Sequence, residues 1–212
     1  AKITLQPVNR YNLDAAIIFS DILMIPYALG QDVKFKKKEG PVLNNFDEKK
    51  FFKYKKKDFL KELTPTYKCI NIVRKKLNKN KTLISFVGAP WTLIIYMMGL
   101  KKNKKQLSQP KTIQIKMIKR VINKLTDYIC LHIEKQKKAG ADIVQVFDSW
   151  AGLLPSKLLN DFCYKPNLRI VKFCKKNKIP VICFPKGIKK KYLKFNQFVR
   201  PNGLNLDSDV DP

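Results

Sequence analysis

Arginine is scarce in this chain of 212 residues: Arg10, Arg74, Arg120, Arg169 and Arg200 stand against 39 lysines. Bidentate readout of bases and phosphates favours the guanidinium fork. The net charge of +28 therefore does not mark a dedicated nucleic-acid binder. The basic runs at 34–38, 49–57, 74–81, 101–105 and 186–194 are scattered and fall mostly between apolar segments. With asparagine and isoleucine also plentiful, they read as drift toward A-rich codons, with weak nonspecific adhesion to RNA or DNA as a by-product. No specific nucleic-acid partner is expected. The five cysteines are odd in number and lack CxxC spacing, which argues against a disulfide scaffold and for reduced thiols. No apolar run approaches the length of about eighteen residues that suggests a membrane span, and no basic region followed by an apolar core marks a secretory signal. The expectation is a soluble, cytoplasmic protein with no membrane partner. Histidine occurs once, as His132 on a long helical pattern, and reads as structural or surface.

What is present is a repeated plan. Ala15-Ala16-Ile17-Ile18-Phe19 is a short apolar run with β-branched members, the pattern of a strand buried on both faces. It runs into Ser20-Asp21, and Pro26 and Gly30 punctuate the segment after that pair. An acidic residue at the carboxyl end of a buried parallel strand is where α/β folds put chemistry. The plainer possibility is that Asp21 caps a short helix beginning at Ile22. Residues 83–98 (LISFVGAPWTLIIYMM) and 140–153 (GADIVQVFDSWAGL) repeat the order of strand, polar turn and helix.

Together these stretches resemble the uroporphyrinogen decarboxylase family. AAIIFSDIL with PYALG, FVGAPWTLIIYM and the GAD-x-VQ-x-FDSWAG run match it in content and order, from about Leu5 to the last residues. Further along, Val33-Lys34-Phe35 and Val42-Leu43 suggest a hairpin. Residues 47–63 form an exposed helix or loop whose aromatics anchor it to the core, with base stacking the less favoured alternative. A helix is expected over 66–77 and a long amphipathic one from Pro110 to Lys138. Another helix covers 158–176, and a basic helix follows the turn at Pro185-Lys186-Gly187. Strands are expected near 15–20, 82–87, 142–147, 180–184 and 203–206. The alternation of strand and helix makes a parallel sheet, and the resemblance makes it a (β/α)8 TIM barrel of one domain over 1–212. The chain covers roughly five of the eight units by that template. It reads as a central portion, without the family's arginine-rich N-terminal segment or its late histidine.

The resemblance implies removal of the four acetate carboxyl groups of uroporphyrinogen III to give coproporphyrinogen III in haem biosynthesis. It implies no metal or organic cofactor, and a homodimer. Asp21 matches the central aspartate that accepts hydrogen bonds from pyrrole N–H groups. Tyr96 matches a tyrosine beside the substrate, and Ser149 a position that binds a side-chain carboxylate. Phe86 and Phe147 correspond to apolar walls around the macrocycle. Read without the resemblance, Tyr96 and the phenylalanines are equally core residues, and Ser149 a helix cap before Trp150. The chain departs from the family at Met98-Gly99-Leu100-Lys101, Lys186-Gly187-Ile188-Lys189 and Asn205. Two other readings stay open: a cobalamin- or zinc-linked methyltransferase of the same barrel superfamily, and a basic fragment without activity that adheres to nucleic acid. No histidine near Cys183 supplies the ligand pair zinc would need.

Overall fold

The computed structural model describes residues 1–36, 40–103, 106–107 and 112–211. At its centre are five parallel strands, β1 (Ala15–Ile17), β2 (Thr82–Gly88), β3 (Ile143–Asp148), β4 (Val181–Pro185) and β5 (Gly203–Leu204). Each pairs with its successor, so the spatial order equals the sequence order. Parallel neighbours need long crossovers, and helices supply them. Helix α1 (Lys2–Tyr11) precedes β1, and α2 (Thr64–Lys76) leads into β2. Next come α3 (Pro90–Met97) and α4 (Thr112–Lys138), between β2 and β3. Helix α5 (Lys165–Lys176) leads into β4, and α6 (Tyr192–Val199) into β5. The expected strands are all present and all parallel. Among the described residues β1 and β5 each keep one edge without a strand partner.

The two faces of the sheet differ. Ala16, Leu83, Ser85, Val87, Val144, Val146, Val181 and Cys183 alternate along the strands and are fully buried. Helix α4 covers them with a stripe at helical spacing, Ile118, Val121, Leu125, Ile129 and Ile133, all buried. Burying one such side chain is worth about 1.5–3 kcal/mol. The opposite face carries Ile84, Phe86, Phe147, Ile182 and Phe184, all half-buried, while Ile17 is 55% exposed. Helix α4 ends at Gly140 (φ 114°): Gly140 N–H donates to the carbonyl of Lys137 and Ala141 N–H to that of Gln136. These are the paired bonds of a Schellman motif, which places its left-handed residue at a glycine.

A polar seam crosses the buried layer. Ser85 donates to Gln136 Oε1 (3.1 Å), and Gln136 Nε2 donates to the carbonyl of Phe86 (3.1 Å) and to His132 Nε2 (2.9 Å). With Nε2 accepting, Nδ1 carries the hydrogen and donates to the Tyr67 hydroxyl at 2.9 Å. Burial pushes the imidazole down to about 3, so His132 is a neutral core residue.

At the amino ends of the strands Arg74 forms a fork. Its guanidinium donates to Asp142 Oδ2 (2.8 Å) and to the carbonyls of Leu77, Asn78 and Lys81.

Several segments differ from their expected form. Residues 2–11, for which no element was expected, are helical. Residues 47–63 fold as two short helices, Glu48–Lys53 and Lys56–Glu62. Their Phe51 and Phe59 are buried, which makes them anchors and leaves neither ring free to stack a base. The helix expected over 158–176 is interrupted by a π-turn at Asn160–Tyr164. Pro166 has no N–H, and its ring crowds the carbonyl four residues back, which a wider turn relieves. The hairpin forms as Val33–Lys36 against Gly40–Leu43. Pro110, the expected start of the long helix, lies outside the described residues, as do Glu39 and parts of the runs at 34–38 and 101–105.

Candidate active site

The turns that leave the carboxyl ends of the strands form a connected rim. Backbone pairing continues beyond β1, with Ile18 N–H donating to the carbonyl of Ile84 at 2.9 Å. Phe19 comes next, 69% exposed, and then Ser20-Asp21. Asp21 Oδ1 accepts from Leu23 N–H at 2.7 Å, and the Asp21 carbonyl accepts from Met24 N–H at 3.2 Å, where the short helix Met24–Ala28 begins. The aspartate does shape this turn, but one oxygen suffices for that. The carboxylate is exposed, and among the described residues no cation pairs with it. It borders a largely apolar cleft of about 480 Å³ with Met24, Tyr27, Val33 and Glu62.

Gly88 closes β2. A Cβ there would lie 2.7 Å from the Leu93 side chain and 3.2 Å from Ile22, so only glycine lets the turn after β1 pack this closely. Ala89 N–H then donates to the carbonyl of Phe147 at 2.8 Å. Pro90 opens α3 at a position where a missing N–H costs nothing. Tyr96, on the last turn of α3, is half-buried with its ring 6.2 Å from that of Trp150. Trp91 Nε1 donates to the Trp150 carbonyl at 3.3 Å, and Lys101 Nζ lies 5.8 Å from the centre of the Trp150 ring.

Ser149 stands between β3 and the turn Ala151–Leu153, half-buried. That turn has no side-chain cap, so the Ser149 hydroxyl does not serve as one. Gly152 N–H donates to the carbonyl of Lys186, and a Cβ on Gly152 would lie 2.3 Å from the Gly187 oxygen. Gly187 N–H and the Tyr192 hydroxyl in turn donate to Asp207 Oδ2, at 2.6 and 2.8 Å.

Asp21, Tyr96 and Ser149 thus follow three adjacent strands. Trp150 brings Tyr96 next to the Ser149 turn, while Asp21 joins the rim through Ile22 and Gly88. No hydrogen bond or ion pair links Asp21 to the other two among the described residues. On the half-exposed face the rings of Phe86 and Phe147 meet at 5.6 Å, and those of Phe147 and Phe184 at 6.4 Å. Cys183 points the other way, into the buried layer. Among the described residues no group of three or more His, Cys, Asp or Glu side chains is arranged to hold a metal.

Sequence reasoning passed over Asp148, the last residue of β3. It is 1% exposed and accepts from Thr92 Oγ1 (2.9 Å) on one oxygen and from Asn167 Nδ2 (3.2 Å) on the other. Burial raises its carboxyl to about 6, against the opposing pull of hydrogen bonds from Thr92, Cys163 and Asn167. The signal was present in the alternation: Val144, Val146 and Asp148 share one face, and the first two are core residues.

The sequence profile of the family described as Uroporphyrinogen decarboxylase (URO-D) matches residues 1–212. A uroporphyrinogen decarboxylase of Rickettsia bellii is 40% identical over 210 residues, which cover 97% of this chain and 62% of that protein. One from Orientia tsutsugamushi is 41% identical over 222 residues, covering 99% and 62%. The chain thus spans 62% of the length of these relatives. Among solved structures, a methyltransferase from Methanosarcina mazei superposes with a TM-score of 0.70 over 96% of this chain and 67% of its own, at 15% identity. That likeness concerns the fold alone. By the profile match and these relatives together, the chain belongs to the uroporphyrinogen decarboxylase family.

Proposed function

We propose that the protein decarboxylates uroporphyrinogen III to coproporphyrinogen III, with Asp21 as the catalytic group. Losing carbon dioxide from an acetate attached to pyrrole needs an electron sink. Protonation of the ring provides it: the bond to the carboxylate breaks, its electron pair enters the ring cation, and the methylene carbon is protonated afterwards as the ring proton leaves. A fixed anion beside the ring lowers the barrier. At an effective dielectric near 20, an ion pair at about 4 Å is worth roughly 4 kcal/mol, or nearly three decades of rate if it acts only in the transition state. Tyr96 donates to a substrate carboxylate or to Asp21, Ser149 binds a side-chain carboxylate, and Phe86 and Phe147 wall the macrocycle.

One observation carries the reading: in a member of this family, the exposed carboxylate of Asp21, with no cation paired to it among the described residues, stands on the same rim as Tyr96 and Ser149. Among the described residues β1 and β5 each keep an edge without a strand partner, and with the half-exposed aromatic face this supports a (β/α)8 barrel, only partly covered by this chain, with the macrocycle at its mouth. The same reading carries cofactor-free chemistry, a homodimer and a cytoplasmic location, which sedimentation and fractionation test. The decisive experiment is anaerobic conversion of uroporphyrinogen by the whole protein, followed by chromatography. Coproporphyrinogen is the expected product, and a protein that binds but never decarboxylates the substrate overturns the reading.

A further inference from the structure

Asp148 has an arrangement that stability does not call for. Its carboxyl is buried at the end of β3, and no charged side chain hydrogen-bonds or ion-pairs with it among the described residues. The titratable groups that face it are the thiols of Cys163, in the turn before α5, and Cys183, on β4. Burial raises both thiols, so they stay neutral. Taking an uncompensated carboxylate out of water is costly, and an apolar residue of similar size is usually tolerated better in a core. Local rules are broken in this way mainly where a site needs it.

The partners show what is gained. Thr92 and Tyr96 lie four residues apart on α3, hence on the same side of the helix one turn apart. Asn167, on α5, also donates to the carbonyl of Cys163 at 2.9 Å, which anchors it to the π-turn. Ser149 is the next residue after Asp148. The carboxylate therefore connects a strand end to two helices, and each connection reaches a residue of the rim or its support. All three groups around it donate, a pattern that fits the ionised form. On protonation the Thr92 hydroxyl must turn its own hydrogen away to accept, while Asn167 Oδ1 is a buried acceptor without a partner among the described residues.

We propose that Asp148 is a positioning residue for the active site: by holding Thr92 on one carboxylate oxygen and Asn167 on the other, it fixes Tyr96 against the Ser149–Trp150 turn. When the carboxyl takes up a proton the Thr92 contact loosens and Tyr96 shifts relative to Trp150. The part of this proposal that concerns turnover rests on the decarboxylase reading, while the part that concerns geometry does not.

The test uses the whole protein labelled with carbon-13 at aspartate carboxyls and tyrosine rings. The Asp148 carbon titrates near pH 6, and the Tyr96 ring signals, displaced by the Trp150 ring, follow with the same midpoint. Asp148→Asn removes the Tyr96 titration. Thr92→Val keeps the carboxylate and the shape of the side chain, so it decides the matter even if the asparagine variant folds poorly. It leaves a titrating Asp148 but uncouples Tyr96 from it, and Thr92→Ser restores the coupling. In turnover, Thr92→Val lowers kcat about tenfold with little change in KM, as expected for a misplaced group, and Thr92→Ser recovers it. Tyr96 signals that titrate alike in wild type and Thr92→Val overturn the proposal, as does an unchanged kcat in an active enzyme. If the wild type shows no turnover at all, the decarboxylase reading fails and the labelled spectra alone judge the clamp.

Discussion

The backbone N–H of Ala89 donates to the carbonyl of Phe147 across 2.8 Å, tying the turn that leaves β2 to the end of β3. The tie uses main-chain atoms, so it survives side-chain substitution. The rim can therefore be probed one side chain at a time.

Asp21→Asn is expected to keep the fold, because an asparagine oxygen still accepts from Leu23 N–H. It cannot balance a protonated pyrrole, so turnover should drop by roughly two to three decades with a smaller effect on binding. Asp21→Glu keeps the charge but moves it by about one methylene, and should retain part of the activity. Anaerobic assays of all three proteins decide this, and near-normal turnover in the asparagine variant would reduce Asp21 to a turn residue.

Asp148 and His132 pull stability in opposite directions as pH changes. The Asp148 carboxyl sits at about 6, above its ordinary 3.8, so the folded state keeps a proton that the unfolded chain releases. This contribution, on the order of 3 kcal/mol, is full below pH 3.8 and is lost as pH rises through 6. His132 sits at about 3, below its ordinary 6.5, so its contribution is full above 6.5 and is lost as pH falls toward 3. The two slopes oppose each other between the ordinary aspartate value and pH 6. Asp148→Asn should leave a urea midpoint that falls on acidification through this window. His132→Gln should leave one that falls as pH rises. Parallel curves for the two variants would contradict the assignment.

Arg74 closes the opposite end of the sheet with four donated bonds. Lysine cannot reproduce the fork, so Arg74→Lys should destabilise the protein by about 1–3 kcal/mol. Turnover per folded molecule should not change, since the residue lies at the amino ends of the strands. A loss of kcat at constant folded fraction would show that the two ends of the sheet are coupled.

Gly152→Ala places a methyl 2.3 Å from the Gly187 carbonyl oxygen. The obstacle is backbone, which no rotamer change relieves, and overpacking of this kind costs about 1–3 kcal/mol or more. A lowered thermal midpoint is expected. An unchanged midpoint would mean that the turns after β3 and β4 do not touch.

The five strands were legible because each is a short apolar run closed by a small or polar residue. Their parallel order followed from the helices between them. Helix α1 was not, since Pro7 stands inside it and only Thr4 and Val8 are buried. That Asp21 shapes the turn after β1 was foreseen from its neighbours, but the helix begins at Met24 with Leu23 at its cap position, so the carboxylate is not its N-cap. That the Ser149 hydroxyl does not cap the turn Ala151–Leu153 was not foreseen, because a serine before a helical turn has the same local sequence whether or not it caps. Asp148 was hidden for a related reason. Its donors sit on α3 and α5, and only tertiary packing brings Thr92 and Asn167 to one carboxylate.

The agreement of strand order in space and in sequence bears on how the sheet assembles. Each described strand after β1 finds a partner strand already synthesised when it emerges. The connection from β1 to β2 is the longest and that from β4 to β5 the shortest, and the entropy of closing a connection grows with its length. Docking of β2 on β1 thus carries the largest closure cost, although the cost rises only with the logarithm of the length. Amides that pair β4 with β5 should thus gain protection from hydrogen exchange no later than those that pair β1 with β2.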